Sequence, residues 1–330
     1  MPSEPFSESM GGGGQMILHT LLILSGLVLL TIGAESLVRG AMGLALRLGV
    51  TPLVIGQTIV AFGTSSPELA ISVGAALAGK SGLVLGNAVG SNISNIALVL
   101  GIAAITKPMR VRSELIRREV PLVIATSLML LIMLLDGVLS RSEGVILLVC
   151  AVAYTVTSYA SANRSHSRVA APEPDGMLAC SKRVFWQDFL LLAAGLGALF
   201  AGSSLLVRGA TRLAAGLGVS PAVIGLTVVA IGTSLPELAT SVASALRGES
   251  DVAFGNVIGS NILNITAVLG VTALVRPFAA EGLRPLDLAV MVGSALLLLS
   301  LMRRGSVLNR WEGAILLCGY IVFLYSVISC

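Results

Sequence analysis

The sequence predicts an all-α polytopic membrane protein: ten transmembrane helices built as two inverted five-helix repeats with broken core helices. Three observations carry this. Of the 330 residues, 55% are hydrophobic and only 12% charged, with a mean hydropathy of +0.94; a soluble domain holds about 25% charged residues. Apolar runs of about 20 residues, the length that spans a bilayer, recur to the C-terminus. One stretch also occurs twice: Gly63 to Gly101 aligns without a gap on Gly232 to Gly270, 169 residues on, with 24 of 39 positions identical. Such self-similarity marks a duplicated unit.

In chain order, residues 1–15 are polar, acidic and Gly-rich with no basic n-region. They read as a disordered tail and not as a cleaved signal peptide. The first repeat covers 16–162, with spans at 16–38, 50–78, 82–105, 119–136 and 142–162. A polar linker follows at 163–184. The second repeat covers 185–330, with spans at 187–207, 219–247, 251–274, 285–302 and 310–329. A unit with an odd number of spans must insert its second copy upside down. The repeat reaches upstream of the core stretch, since 37–61 matches 206–230 at the same offset. There, Thr51-Pro52 and Ser220-Pro221 read as helix starts, with a capping hydroxyl and proline in the first turn. With the N-terminus outside, inward loops hold 15 Lys and Arg against 6 in outward loops. The positive-inside rule then places both termini outside and the linker in the cytoplasm, in a plasma (inner) membrane.

Several classes fall away. The +4 net charge comes from loop arginines and carries no nucleic-acid signal. Cys150, Cys180, Cys318 and Cys330 have no metal-like spacing and read as packing residues. The spans hold no paired catalytic aspartates, Ser-His pair or zinc-ligand set, so an enzyme is not expected. Glu35, with Arg39 four residues on, reads as a local ion pair; its repeat counterpart is Ser204. His19 and His166 lie outside the motifs.

The duplicated stretch carries the chemistry. In Ala61-Phe62-Gly63-Thr64-Ser65-Ser66-Pro67-Glu68, Gly63 weakens the helix and Pro67 removes a backbone donor. A helix broken at membrane depth leaves carbonyls that a bound cation or water must satisfy. The carbonyls of Ala61 to Thr64 are therefore expected to face a pocket. Thr64 and Ser65 add hydroxyls, and Glu68 adds a carboxylate one turn on. Ala230, Thr233, Ser234, Pro236 and Glu237 repeat the pattern. An ionisable residue in a span marks a site by default. In the next spans, Asn87, Ser91 and Asn95, and again Asn256, Ser260 and Asn264, fall at i+4 steps and make one polar stripe per helix. Asn87 and Asn256 stand about two turns from the glutamate level, where a structural role and a site role are both open. All these donors are hard oxygens, which suit calcium and sodium better than zinc, copper or iron. Two facing carboxylates would also accept a proton as competitor.

The motifs GTSSPEL and GTSLPEL, each followed by GN-x-x-GSNI-x-NI, resemble the paired alpha repeats of the calcium/cation antiporter superfamily. Among its branches the chain is most similar to the prokaryotic sodium/calcium exchangers. The resemblance implies a rigid eight-helix group around a central site, with spans 1 and 6 sliding across it. It implies that Glu68, Glu237, Thr64 and Thr233 hold calcium. It implies that Ala61, Ser65, Ser91, Ala230, Ser234 and Ser260, with both glutamates, hold sodium. Asn95 matches a polar position of the family in span 3. Its counterpart in span 8 is often aspartate in the family's exchangers; here it is Asn264, which leaves two acids in place of three. Exchange of calcium for sodium is therefore expected, with no cofactor and with a monomer sufficient. A proton/calcium antiporter using the same glutamates and a passive cation channel are the alternatives.

Overall fold

The computed structural model describes residues 12–166, 184–218, 230–280, 283–303 and 305–329. In chain order its helices are α1 (Gly12–Leu48), α2 (Pro52–Thr64), α3 (Ser66–Leu77), α4 (Ser81–Thr106), α5 (Ser113–Met133), α6 (Arg141–His166), α7 (Phe185–Gly216), α8 (Ala230–Thr233), α9 (Leu235–Leu246), α10 (Ser250–Val275), α11 (Pro285–Met302) and α12 (Arg310–Ile328). Among the described residues, eight helices are long and apolar enough to cross a membrane: α1, α4, α5, α6, α7, α10, α11 and α12. The pair α2 and α3, bent by 41°, is long and apolar enough only when taken together, as a broken span or a re-entrant loop. The expected first part of span 7, with the Ser220-Pro221 start, lies outside the described residues. So do most of the tail and linker, Cys180 and Cys330.

The two halves touch reciprocally. Four short strands, β1 (Met109–Arg110), β2 (Val138–Leu139), β3 (Phe278–Ala279) and β4 (Val307–Leu308), pair antiparallel as β1 with β4 and β2 with β3. Met109 meets Leu308 and Leu139 meets Phe278, which is one contact made twice under the 169-residue offset. Asn92 donates to the Asn261 carbonyl at 3.2 Å, and Asn261 returns the bond to the Asn92 carbonyl at 3.4 Å. Lys107 Nζ donates to Leu246 O at 3.0 Å, and its counterpart Arg276 donates to Leu77 O at 2.9 Å. These last bonds occupy carbonyls left open at the C-termini of α9 and α3.

Equivalent helices α1 and α7 lie along each other in opposite directions. Gly26 sits against Gly202, Gly33 against Gly195, and Gly40 against the Asp188 carbonyl. A Cβ on Gly33 would come within 2.9 Å of Gly195 O. The seven-residue spacing keeps one bare seam facing the partner, and the backbones close on it. Both helices outrun their sequence bounds of 16–38 and 187–207, so Arg39, Arg47, Arg208 and Arg212 are helical and not in loops. The apolar windows stop at the first charges, but Ala41, Leu44 and Ala45 are buried and carry the helix onward.

The interior belongs to α4 and α10. In each, 83% of the most apolar 18-residue stretch is buried, against 17–33% for the same stretch of the other six. Glu35 pairs with Arg39 at 2.6 Å, as the spacing predicts, and also with Arg247 at the end of α9. Two local expectations need correction. Thr51 precedes Pro52 at the helix start, but its hydroxyl caps nothing, because proline at N1 already dispenses with one open donor. Cys318 is exposed and Cys150 half-buried, so neither is a tightly packed core residue.

Candidate functional site

The break in the first half falls at Ser65 (φ −83°, ψ 4°) and that in the second at Ser234 (φ −88°, ψ 6°). Each proline takes an early position of the helix that restarts, where a missing N–H is harmless. That restart puts Glu68 and Glu237 in the first turns of α3 and α9. Both side chains are buried, at 1% and 0% exposure. They are electrostatic neighbours. Ser65 Oγ donates across the halves to Glu237 Oε1 at 3.3 Å. Among the described residues, both carboxylate oxygens of Glu68 and Oε2 of Glu237 have no hydrogen-bond partner. Among the described residues no basic side chain pairs with either acid.

The central helices wall this space. Both change from α to a wider π turn at the asparagine that ends the polar stripe, Asn95–Val99 in α4 and Asn264–Val268 in α10. The amide oxygen and nitrogen of Asn95 and of Asn264 are buried and unpartnered. The Ala61 carbonyl accepts from Ser65 N at 3.0 Å and is approached by Thr64 Oγ1 at 3.3 Å and Ser260 Oγ at 3.5 Å. Ala61, Thr64 and Ser260 therefore share one corner. Ser234 Oγ is buried and unpartnered, Ser91 is buried, and Thr233 is half-buried. Ala230 begins α8, on the same chain segment as Thr233.

Asn87 and Asn256 are tied to the main chain beside the acids. Asn87 Nδ2 donates to Glu68 O at 3.1 Å and Ser72 Oγ at 3.0 Å. Asn256 Nδ2 donates to Glu237 O at 3.4 Å and Ser241 Oγ at 3.1 Å. Asn256 Oδ1 also accepts from Thr64 Oγ1 at 3.1 Å, so it joins the halves. Ser72 and Ser241 were not among the expected site residues. Nor were Asn92 and Asn261, although both pairs recur in the duplicated stretch and could be read there.

One expectation fails in detail. Carbonyls freed by the break were expected to face the pocket. Pro236 leaves Gly232 O without its helical donor, and Ser203 of α7 supplies a hydroxyl to it at 2.6 Å. Replacing Ser203 by Ala is expected to cost about 1–3 kcal/mol through the orphaned carbonyl. Pro236→Ala, which restores the N–H, should suppress that loss; thermal unfolding of the single and double variants measures both.

Two buried carboxylates and the unpartnered amide and hydroxyl oxygens of the neighbouring helices are donors of the kind a hard cation takes. Among the described residues no three His, Cys, Asp or Glu side chains converge.

The chain matches the sodium/calcium exchanger protein family over residues 18–160 and 188–329. It is 39% identical to the inner membrane protein YrbG of Escherichia coli, covering 94% of this chain and 96% of that protein. It is 32% identical to the sodium/calcium exchanger MaX1 of Methanosarcina acetivorans, covering 92% and 97%. A solved structure of the sodium-calcium exchanger NCX_Mj superposes with a TM-score of 0.80 at 35% identity, covering 94% and 99%. Fold and relatives together define a multi-pass membrane antiporter for cations, calcium among them, and not an enzyme. The chain belongs to the sodium/calcium exchanger family.

Proposed function

We propose that this antiporter exchanges calcium for sodium by alternating access at a central site. Glu68, Glu237, Thr64 and Thr233 hold calcium. Ala61, Ser65, Ser91, Ala230, Ser234 and Ser260, with the same two glutamates, hold sodium. Asn95, Asn264, Asn87 and Asn256 form the polar wall. The observation that carries this is the pair of buried acids, three of whose four oxygens have no hydrogen-bond partner among the described residues. Two carboxylates match the charge of one calcium ion. Because the ions share oxygens, the carrier moves one or the other. The ion-free state leaves two bare charges in the membrane and resists switching, which favours exchange over leak.

The architecture proposed with it is ten spans in two inverted repeats, 16–162 and 185–330, with motifs 63–101 and 232–270 and the linker 163–184 in the cytoplasm. The reciprocal contacts and the opposed α1 and α7 support that arrangement. The glycine seam makes α1 and α7 one peripheral unit suited to sliding on the rest. The distribution of Lys and Arg supports termini outside, and the E. coli relative's printed name supports an inner membrane.

The second reading is proton/calcium exchange. Asn264 favours it in one respect: with only two acids, protons as well as sodium ions can discharge the cage. Calcium-45 flux in proteoliposomes, with sodium, potassium and pH varied separately, decides. Uptake is expected under an outward sodium gradient and not under a pH gradient alone. The reverse pattern selects the proton reading, and fast flux without any counter-ion sinks both.

A further inference from the structure

Outside the central cage, one buried polar cluster has no counterpart in the other half. Glu119 of α5 is 3% exposed. Its polar neighbours are Gln57 of α2 and Tyr154 of α6, and Tyr154 in turn neighbours Ser158. Arg118 stands at 3.8 Å, half in solvent. At the 169-residue offset these four positions are Leu226, Leu288, Phe323 and Val327. The second half thus carries only apolar residues where the first holds an acid, an amide and two hydroxyls, so the repeat itself does not require the cluster. A buried acid in a span is costly and is kept for a reason.

Gln57 links the cluster to the cage. It lies in a π turn, Gly56–Val60, and precedes Ala61 by one turn. Its backbone is wedged against α10: a Cβ on Gly255 would come within 3.2 Å of Gln57 N, and one on Gly259 would strike the Gln57 main chain and reach Ala61 Cβ at 2.9 Å. The next residue of α10, Ser260, reaches the Ala61 carbonyl. A shift of Gln57 must therefore move Ala61 and Thr64 against Ser260. Meanwhile Glu119 Oε2, Gln57 Nε2, Tyr154 Oη and Ser158 Oγ are all buried without a closed hydrogen bond. The set is complementary, with a carboxylate acceptor beside amide and hydroxyl donors.

We propose that Glu119 is a positioning residue: through Gln57 it sets where the Ala61 carbonyl and Thr64 stand in the cage, in the first half alone. This rests on the central site proposed above. Glu119→Leu, Gln57→Leu and Tyr154→Phe each install the apolar residue of the second half. Calcium-45 flux and calcium-dependent thermal shift are measured on the purified full chain. Glu119→Leu and Gln57→Leu should each raise the KM for calcium about tenfold, equivalent to about 1.4 kcal/mol of binding. Vmax per folded molecule should stay within about twofold. The double variant should be no worse than either single, since the two residues act as one unit. Glu119→Gln, which keeps the shape and one acceptor oxygen, should leave KM within about threefold of the parent. Should Glu119→Leu fail to fold, Gln57→Leu and Tyr154→Phe, which keeps the ring, carry the test. An unchanged KM in these variants overturns the proposal. So do additive effects, or a loss of folded protein with KM intact. Absence of any saturable calcium response in the parent chain sinks the central site instead, and the two failures are thereby distinguished.

Discussion

Glu68→Gln or Glu237→Gln is expected to abolish calcium exchange while making the ion-free protein more stable. Both effects follow from burial. Each acid is fully enclosed, with no basic partner among the described residues. Glutamine keeps the shape and removes one charge. Losing one partner of a buried charge pair costs about 2–5 kcal/mol, which lowers calcium affinity by a factor of about 30 to several thousand. In chelator, however, no calcium is present to repay the buried charge. The neutral isostere should then melt at a higher temperature than the parent. Calcium at 100 times the parent's Kd should stabilise the parent by about 2.7 kcal/mol and the variants by less than about 1 kcal/mol. Undiminished calcium stabilisation in either variant, or normal uptake into sodium-loaded vesicles, would remove that glutamate from the site.

The two acids were legible because a charge inside a duplicated apolar stretch is costly wherever the chain folds. The i+4 stripes were legible for a related reason, since helical spacing alone puts Asn87, Ser91 and Asn95 on one face. What each amide does was not legible. Asn87 and Asn256 donate to the carbonyls of Glu68 and Glu237, a match that exists only once the broken helices are packed. The length of α1 was hidden by Glu35 and Arg39, which look like an end to an apolar window; Arg247, 212 residues on in sequence, completes that pair. The π turns at Asn95 and Asn264 leave no mark in periodicity. The cluster around Glu119 escaped for the opposite reason to the acids. A reading anchored on what the halves share passes over what only one half holds.

Asn256→Ala should damage the protein more than Asn87→Ala, although the repeat makes them equivalent. Asn256 is fully buried and serves three groups: Thr64 Oγ1, Ser241 Oγ and Glu237 O. Asn87 is half-buried and serves two, Ser72 Oγ and Glu68 O. A hydrogen bond contributes about 0.5–1.5 kcal/mol net, and a buried group left unpaired costs about 1–3 kcal/mol. Water can reach the gap at Asn87 and repair part of the loss, while the gap at Asn256 is sealed. The expected loss of stability is therefore about 3 kcal/mol for Asn256→Ala and about 1 kcal/mol for Asn87→Ala. Calcium affinity should follow the same order. Only Asn256 holds a residue from the opposite half, so its loss frees Thr64 and Glu237 together and loosens the cage across the join. Thermal unfolding and calcium titration of the two variants side by side test this. Equal losses would mean that the bond between Thr64 and Asn256 contributes nothing to holding the halves together.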